Sequence, residues 1–224
     1  MDNPWKNLPS HQPYVLPQEE VVLNEFNTKV TPEYQVKTEL FPEPFTGNVN
    51  APIYLLNLNP GYDENDLFWH SKDSFNSSVK STLLHEELDY PFYFLNPKFI
   101  KSPGGIWWRQ KLKQLILDST LDAVSKNIFC VEYFPYHSKS YKDMPKRISP
   151  ELLISQKYSI NLVREALKRN VIIIIMRSSK KWLNAIPELE GKKNVFELKN
   201  PQNVCITPNN LDSYNEILSV IKKC

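Results

Sequence analysis

Cysteine is scarce in this chain: Cys130, Cys205 and Cys224 are the only three among 224 residues. No two form a Cys-x-x-Cys pair and an odd number leaves one without a partner, so neither a disulfide framework nor a cysteine-built zinc site is expected. Long apolar runs are missing as well. The longest, Val171 to Met176, is far shorter than the roughly 20 residues that cross a bilayer as a helix, so no membrane anchor is expected. The first residues, Met1-Asp2-Asn3-Pro4-Trp5-Lys6, show no basic region followed by an apolar stretch, and a cytoplasmic location is the default expectation. Glycine is limited to 5 residues, and none stands in a phosphate-binding loop or a dinucleotide fingerprint, so no cofactor is expected. Metal-ligand spacings of the His-x-Glu-x-x-His kind are lacking too. A metal-dependent hydrolase would have to be assembled from Asp63, Asp66, His70 and His137, and no metal is expected.

Proline, in contrast, is plentiful, with 18 in the chain and seven of them before residue 50. Pro4, Pro9, Pro13, Pro17, Pro32, Pro42 and Pro44 break any long periodic segment, which predicts an irregular arm over residues 1–50 with one helix near Gln18 to Asn27. From Ala51 onward four apolar stretches read as buried strands: Ile53–Leu58, Ile128–Tyr133, Val171–Met176 and Val195–Leu198. Helical periodicity falls between and after them, at Ile106–Leu117, Pro150–Arg169, Lys181–Ile186 and Asp212–Lys222. Alternation of this kind predicts an α/β fold over residues 51–224, three layers with a central, mostly parallel four-stranded sheet.

The net charge of +2 conceals an asymmetry. Residues 1–97 hold 5 Lys/Arg against 14 Asp/Glu, whereas residues 98–224 hold 22 against 11. The basic residues of the second half gather in three groups, around Lys98 to Lys113, Lys139 to Arg147, and Arg177 to Lys181, a pattern that suits a polyanionic partner.

In open parallel sheets ligands gather at the carboxyl ends of the strands, so the residues that close each apolar run carry the functional signal. Here they are Asn57-Leu58-Asn59-Pro60-Gly61-Tyr62, Glu132-Tyr133-Phe134-Pro135-Tyr136-His137, Arg177-Ser178-Ser179 and Lys199-Asn200-Pro201-Gln202. Leu56-Asn57-Leu58-Asn59-Pro60-Gly61 resembles the first motif of the mismatch-specific branch of uracil-DNA glycosylases, a strand ending in Gly-Ile-Asn-Pro-Gly. Asn200-Pro201-Gln202 resembles that branch's second motif, Asn-Pro-Ser. Asn57 stands in place of the first glycine and Gln202 in place of the serine.

The resemblance implies a monomeric DNA glycosylase that flips a nucleotide out of DNA and hydrolyses its N-glycosidic bond with no cofactor. Asn59 would position the attacking water, and Asn200 would hold the leaving base. Asn57, Pro60, Gly61, Gln202 and the stacking candidates Tyr62, Trp69 and Tyr136 would shape the base pocket, with His137 stabilising the departing anion. Arg177, Ser178 and Lys139 would grip the DNA backbone. Glu132 falls where the family usually carries a base-reading asparagine. A carboxylate there accepts hydrogen bonds, which suits cytosine N4 and disfavours uracil O4, so a modified cytosine is the expected target, such as the glucosylated hydroxymethylcytosine removed by phage-defence members of the superfamily. The alternative is a non-catalytic DNA-binding or inhibitory module on the same fold, with the asparagines kept as turn formers.

Overall fold

The computed structural model describes residues 1–223, so the Cys224 thiol lies outside the described residues. The chain forms strands β1 (Phe45–Gly47), β2 (Ile53–Asn57), β3 (Ile128–Glu132), β4 (Ile172–Ile175) and β5 (Val195–Glu197). Helices α1 (Glu20–Lys29), α2 (Asn65–Trp69) and α3 (Asp73–Leu83) belong to its first half. After them come α4 (Pro103–Lys111), α5 (Lys113–Asp118), α6 (Leu121–Asn127), α7 (Ile154–Lys168), α8 (Ser179–Ala185) and α9 (Tyr214–Lys223).

The sheet has five strands rather than four, in the order β1-β3-β2-β4-β5. Four are parallel, with Ile53 level with Ile128 on one side and with Ile172 on the other, and β1 runs antiparallel to β3 along the edge. Every residue of β2, β3 and β4 is buried, so both faces of the sheet's centre are covered, as their unbroken apolarity requires. No helix among the described residues is long and apolar enough to cross a membrane.

β1 escaped the sequence because three residues between prolines give no period to read. It exists because Phe45 is buried against Phe129, at 5.5 Å between rings, and because the Pro44 carbonyl accepts a hydrogen bond from Glu132 N at 2.8 Å. The arm is therefore not merely irregular. It supplies a strand, and its Trp5, Leu16, Leu23, Phe26 and Phe41 belong to the single core. Glu19, buried in that arm, accepts from Tyr136 Oη at 2.6 Å and from Ser155 N at 2.7 Å, tying it to the loop after β3 and to the start of α7.

Gly47 fixes how closely β1 can lie. Its φ is +110°, and a Cβ there would stand 2.1 Å from the Ile128 carbonyl oxygen. Gly47→Ala is expected to push β1 off the sheet and cost roughly 2–4 kcal/mol, read as a lower denaturant midpoint in equilibrium unfolding.

The helix expected over Ile106–Leu117 is two helices. Leu112, with φ −99° and ψ 5°, interrupts it, and α4 begins earlier, at Pro103, where Ser102 Oγ accepts from Gly105 N at 3.0 Å. The helix expected from Pro150 starts four residues later, because the Gln156 side chain accepts from Leu153 N at 3.2 Å and Ser149 Oγ bonds instead to the Glu151 carbonyl. Helices α2, α3 and α6 were not foreseen.

Candidate functional site

Beyond Asn57 the chain leaves the sheet but stays paired with the segment that leaves β3. Phe134 N donates to the Leu58 carbonyl at 2.8 Å, Ser138 N to that of Pro60 at 3.4 Å, and His137 Nδ1 sits 2.6 Å from that of Gly61. This doubled strip, at the carboxyl ends of β2 and β3, walls a cleft of about 780 Å³, within the size range of small-molecule sites. Glu43 and Thr46 of the arm, Arg177 after β4 and the start of α4 complete it.

Asn59 is held at this wall. Its Nδ2 donates to Ser138 Oγ at 3.0 Å and to the Pro60 carbonyl at 2.9 Å, while among the described residues its side-chain carbonyl accepts no hydrogen bond. The amide is oriented and its acceptor is left free. Pro60, Gly61 and Tyr62 line the same cleft, and nothing lies within 4 Å of where a Gly61 Cβ would be, so the turn leaves open space for a ligand. Lys37 covers the Tyr62 ring at 4.8 Å.

The floor is polar and incompletely paired. Asn57 Nδ2 donates to Glu132 Oε1 at 3.0 Å, yet Asn57 Oδ1, Glu132 Oε2, Arg177 Nε, Thr46 Oγ1 and His137 Nε2 are buried without partners. Unsatisfied groups of this kind each cost about 1–3 kcal/mol, and a ligand or a water entering the cleft could complete their bonding. Burial pushes the Glu132 carboxyl up to about 8, opposed by its bond from Asn57 and the Arg177 charge. Burial likewise pushes Glu43 up to about 8 and Asp66 to about 6. Glu132 is thus chiefly neutral at neutral pH. A carboxyl held protonated in this way would present an O–H in place of a pure acceptor.

The rim is basic. One residue of each positive group of the sequence lines the cleft: Lys101, Lys139 and Arg177, the last with its guanidinium 5.8 Å from the Trp107 ring centre. Trp107 itself lines the cleft. Gly104 brings this segment in, since a Cβ there would stand 2.1 Å from the Phe94 ring. A Phe-Pro-Glu-Pro-Phe run, an acid among apolar residues, was the available signal for Glu43.

Other expected residues are not brought here. Asn200 is exposed and accepts from Gln202 N at 3.0 Å and Asn203 N at 3.1 Å, an Asx turn closed on itself. Neither it nor Gln202 lines the cleft, because β5 is the far edge strand and Asn210 holds the loop, accepting from Asn200 N and donating to the Asn203 and Cys205 carbonyls. Tyr136 is fully buried, with its hydroxyl on Glu19. Trp69 packs against Phe75 and Phe99. Ser178 takes a left-handed conformation, φ +59°, at the start of α8 and lies outside the cleft.

One group of described residues has metal-ligating composition, Glu43, His70 and His137, with candidate ligand atoms within 4.8 Å of one another. Phe41 N, however, donates to His70 Nδ1 at 3.2 Å. That bond places the proton of a neutral His70 on Nε2, the atom that would have to bind the ion, so the donor set does not fit a metal.

The fold and the cleft thus define an α/β protein with a polar cleft at the carboxyl ends of the parallel strands of a mixed sheet. Comparison with protein families, curated proteins and solved structures finds no match to this chain.

Proposed function

We propose that the protein is a monofunctional DNA glycosylase that hydrolyses the N-glycosidic bond of a flipped pyrimidine nucleotide, with modified cytosine the first candidate. The observation that carries this reading is Asn59, oriented by Ser138 with its carbonyl free, at the wall of a cleft floored by unpaired polar groups. An amide is too weak a base to ionise water, so it serves by placing the nucleophile against a sugar that is already becoming cationic. Stabilisation of the departing base then has to come from the donors of the floor, Arg177 and neutral Glu132.

Those donors also bear on the substrate. To a base that reached them, Asn57 Oδ1, a protonated Glu132 Oε2 and Arg177 Nε–H would offer one acceptor and two donors. A pyrimidine edge, with one donor and two acceptors, complements that set, whereas guanine, with one acceptor and two donors, does not. Cytosine and uracil share this tally, so the choice of cytosine rests on the family resemblance and on space. The cleft is larger than one base, and at Tyr62, Asp63, Asn65 and Lys139 it adjoins a second, polar hollow of about 570 Å³ that leaves room for a substituent. The basic rim suits the flanking phosphates, and neutral carboxyls on the floor keep an acidic site from repelling them.

Purified protein is expected to leave alkali-labile abasic sites in DNA carrying modified cytosine and to spare guanine. Release of uracil alone would overturn the substrate assignment, and no release from any base would overturn the enzymatic one. The position of Asn200 favours the second reading, a DNA-binding module without catalysis, since one of the two expected amides is absent from the cleft.

A further inference from the structure

We propose that Glu43 and His137 share a single proton beneath the cleft, and that this proton holds the Asn59-Pro60-Gly61 turn in its working geometry. The donors and acceptors around the two side chains point to it. Gly61 offers His137 Nδ1 only a carbonyl oxygen, at 2.6 Å, so Nδ1 carries hydrogen and a neutral His137 presents a bare lone pair at Nε2. That lone pair is buried with no hydrogen bond of ordinary length, 3.6 Å from Glu43 Oε2, and the Phe41 carbonyl also acts on the ring. The other Glu43 oxygen is already served by donors. Tyr93 Oη gives it a hydrogen bond at 2.8 Å, and the protonated Nε2 of His70 faces it at 3.7 Å. An ionised Glu43 would set a carboxylate oxygen against the imidazole lone pair in a space with almost no water, the two side chains being 9% and 3% exposed. One proton between Oε2 and Nε2 removes the conflict, whichever atom holds it.

Every neighbour that titrates is known. Tyr93 and His70 face Glu43, the charge of Glu43 raises Glu132 and Asp66, and Asp66, Glu39 and the facing His70 surround His137. Burial raises the Glu43 carboxyl to about 8 and lowers the His137 imidazole, which keeps the proton on the pair at neutral pH. The link to Asn59 is short. His137 carries the Gly61 contact, and its neighbour Ser138 both donates its N–H to Pro60 and accepts from the Asn59 amide. Loss of the proton therefore disturbs the residues that orient Asn59, and Glu43 is a positioning residue that acts through His137.

Glu43→Gln supplies an amide N–H in place of the acid proton at every pH and keeps the oxygen that Tyr93 needs; Glu43→Ala supplies neither. The His137 ring nitrogens of wild type and both variants would be followed by long-range proton–nitrogen correlation from about pH 6 to about pH 10, beside single-turnover base release. In wild type the Nε2 resonance is expected to move with a midpoint near 8, and release to fall over the same range. The Gln variant should show neither change, and Ala should lower release about tenfold or more at all pH values. A His137 signal that stays constant in wild type, a Gln variant that titrates like wild type, or a stoichiometric metal lost on Glu43→Gln would each overturn the pair. Should Ala fail to fold, the wild-type and Gln titrations decide. The release readout rests on the glycosylase reading and the nitrogen readout does not, so failure of release alone counts against that reading and failure of the resonance shift counts against the pair.

Discussion

Asn59→Ala is expected to slow single-turnover base release by about 10²–10³-fold while leaving DNA affinity within a few fold of wild type. The asymmetry follows from what the side chain touches. Its Nδ2 is spent on Ser138 and Pro60 and its carbonyl accepts no hydrogen bond among the described residues, so on the glycosylase reading removing it would take away a contact to the nucleophile and none to phosphate. On the same reading affinity would come chiefly from the basic rim at Lys101, Lys139 and Arg177, which the substitution leaves in place. Asn200→Ala is the internal control. It opens an exposed Asx turn, which should cost at most about 1 kcal/mol of stability and change release little. Equal loss of release in both variants would mean that the loop after β5 closes over the cleft when DNA binds. No effect of Asn59→Ala on any activity of the protein would favour the binding module.

The second large effect is on stability. Between about pH 6.5 and about pH 8 the protein is expected to lose about 3 kcal/mol of unfolding free energy, and Glu132→Gln or Glu43→Gln each to remove roughly 1.5–2 kcal/mol of that loss. Both carboxyls are raised by burial from the model-compound value of 4.5 to about 8. A group whose pKa is higher folded than unfolded holds its proton better in the native state, so its contribution is complete below 4.5 and drains away as the pH climbs through 8. Histidine runs the other way. His70 is pushed down to about 2 and His85 to about 4, and His137 is lowered too, all by burial, so they oppose folding only below about 6.5, where their unfolded forms bind protons. Above that pH they contribute no slope, and the buried acids act unopposed. Urea unfolding at fixed ionic strength across this window measures it, and a flat profile in wild type would show that both carboxyls ionise without penalty.

Much of the scaffold was legible from the chain alone. Unbroken apolar runs at Ile53, Ile128 and Val171 have few destinations other than the doubly covered centre of a sheet, and their polar ends had to emerge at one rim. Asn59, Pro60, Gly61, Glu132, His137 and Arg177 could be picked out on that ground, and they do line one cleft. The same logic misplaced Asn200, because being at a strand end says nothing about how far that strand lies from the centre. Two strands, β2 and β4, separate β5 from β3, and the loop after β5 is closed by its own hydrogen bonds. Tyr136 and Trp69 misled for a related reason: an aromatic ring suits a core as well as a base, and the choice depends on neighbours that pattern does not reveal.

The sequence by itself determined the α/β architecture, the parallel strands and the polar character of their ends, since periodicity and apolar runs are local properties that survive without coordinates. Only the tertiary structure decided that the proline-rich arm delivers β1 and Glu43 to the cleft, that Glu132 and Glu43 are chiefly uncharged at neutral pH, and that Asn200 stands apart. Each of these depends on burial and on contacts between residues far apart in the chain, and the free energy of a proton or a hydrogen bond is set by those surroundings, not by the residue's name.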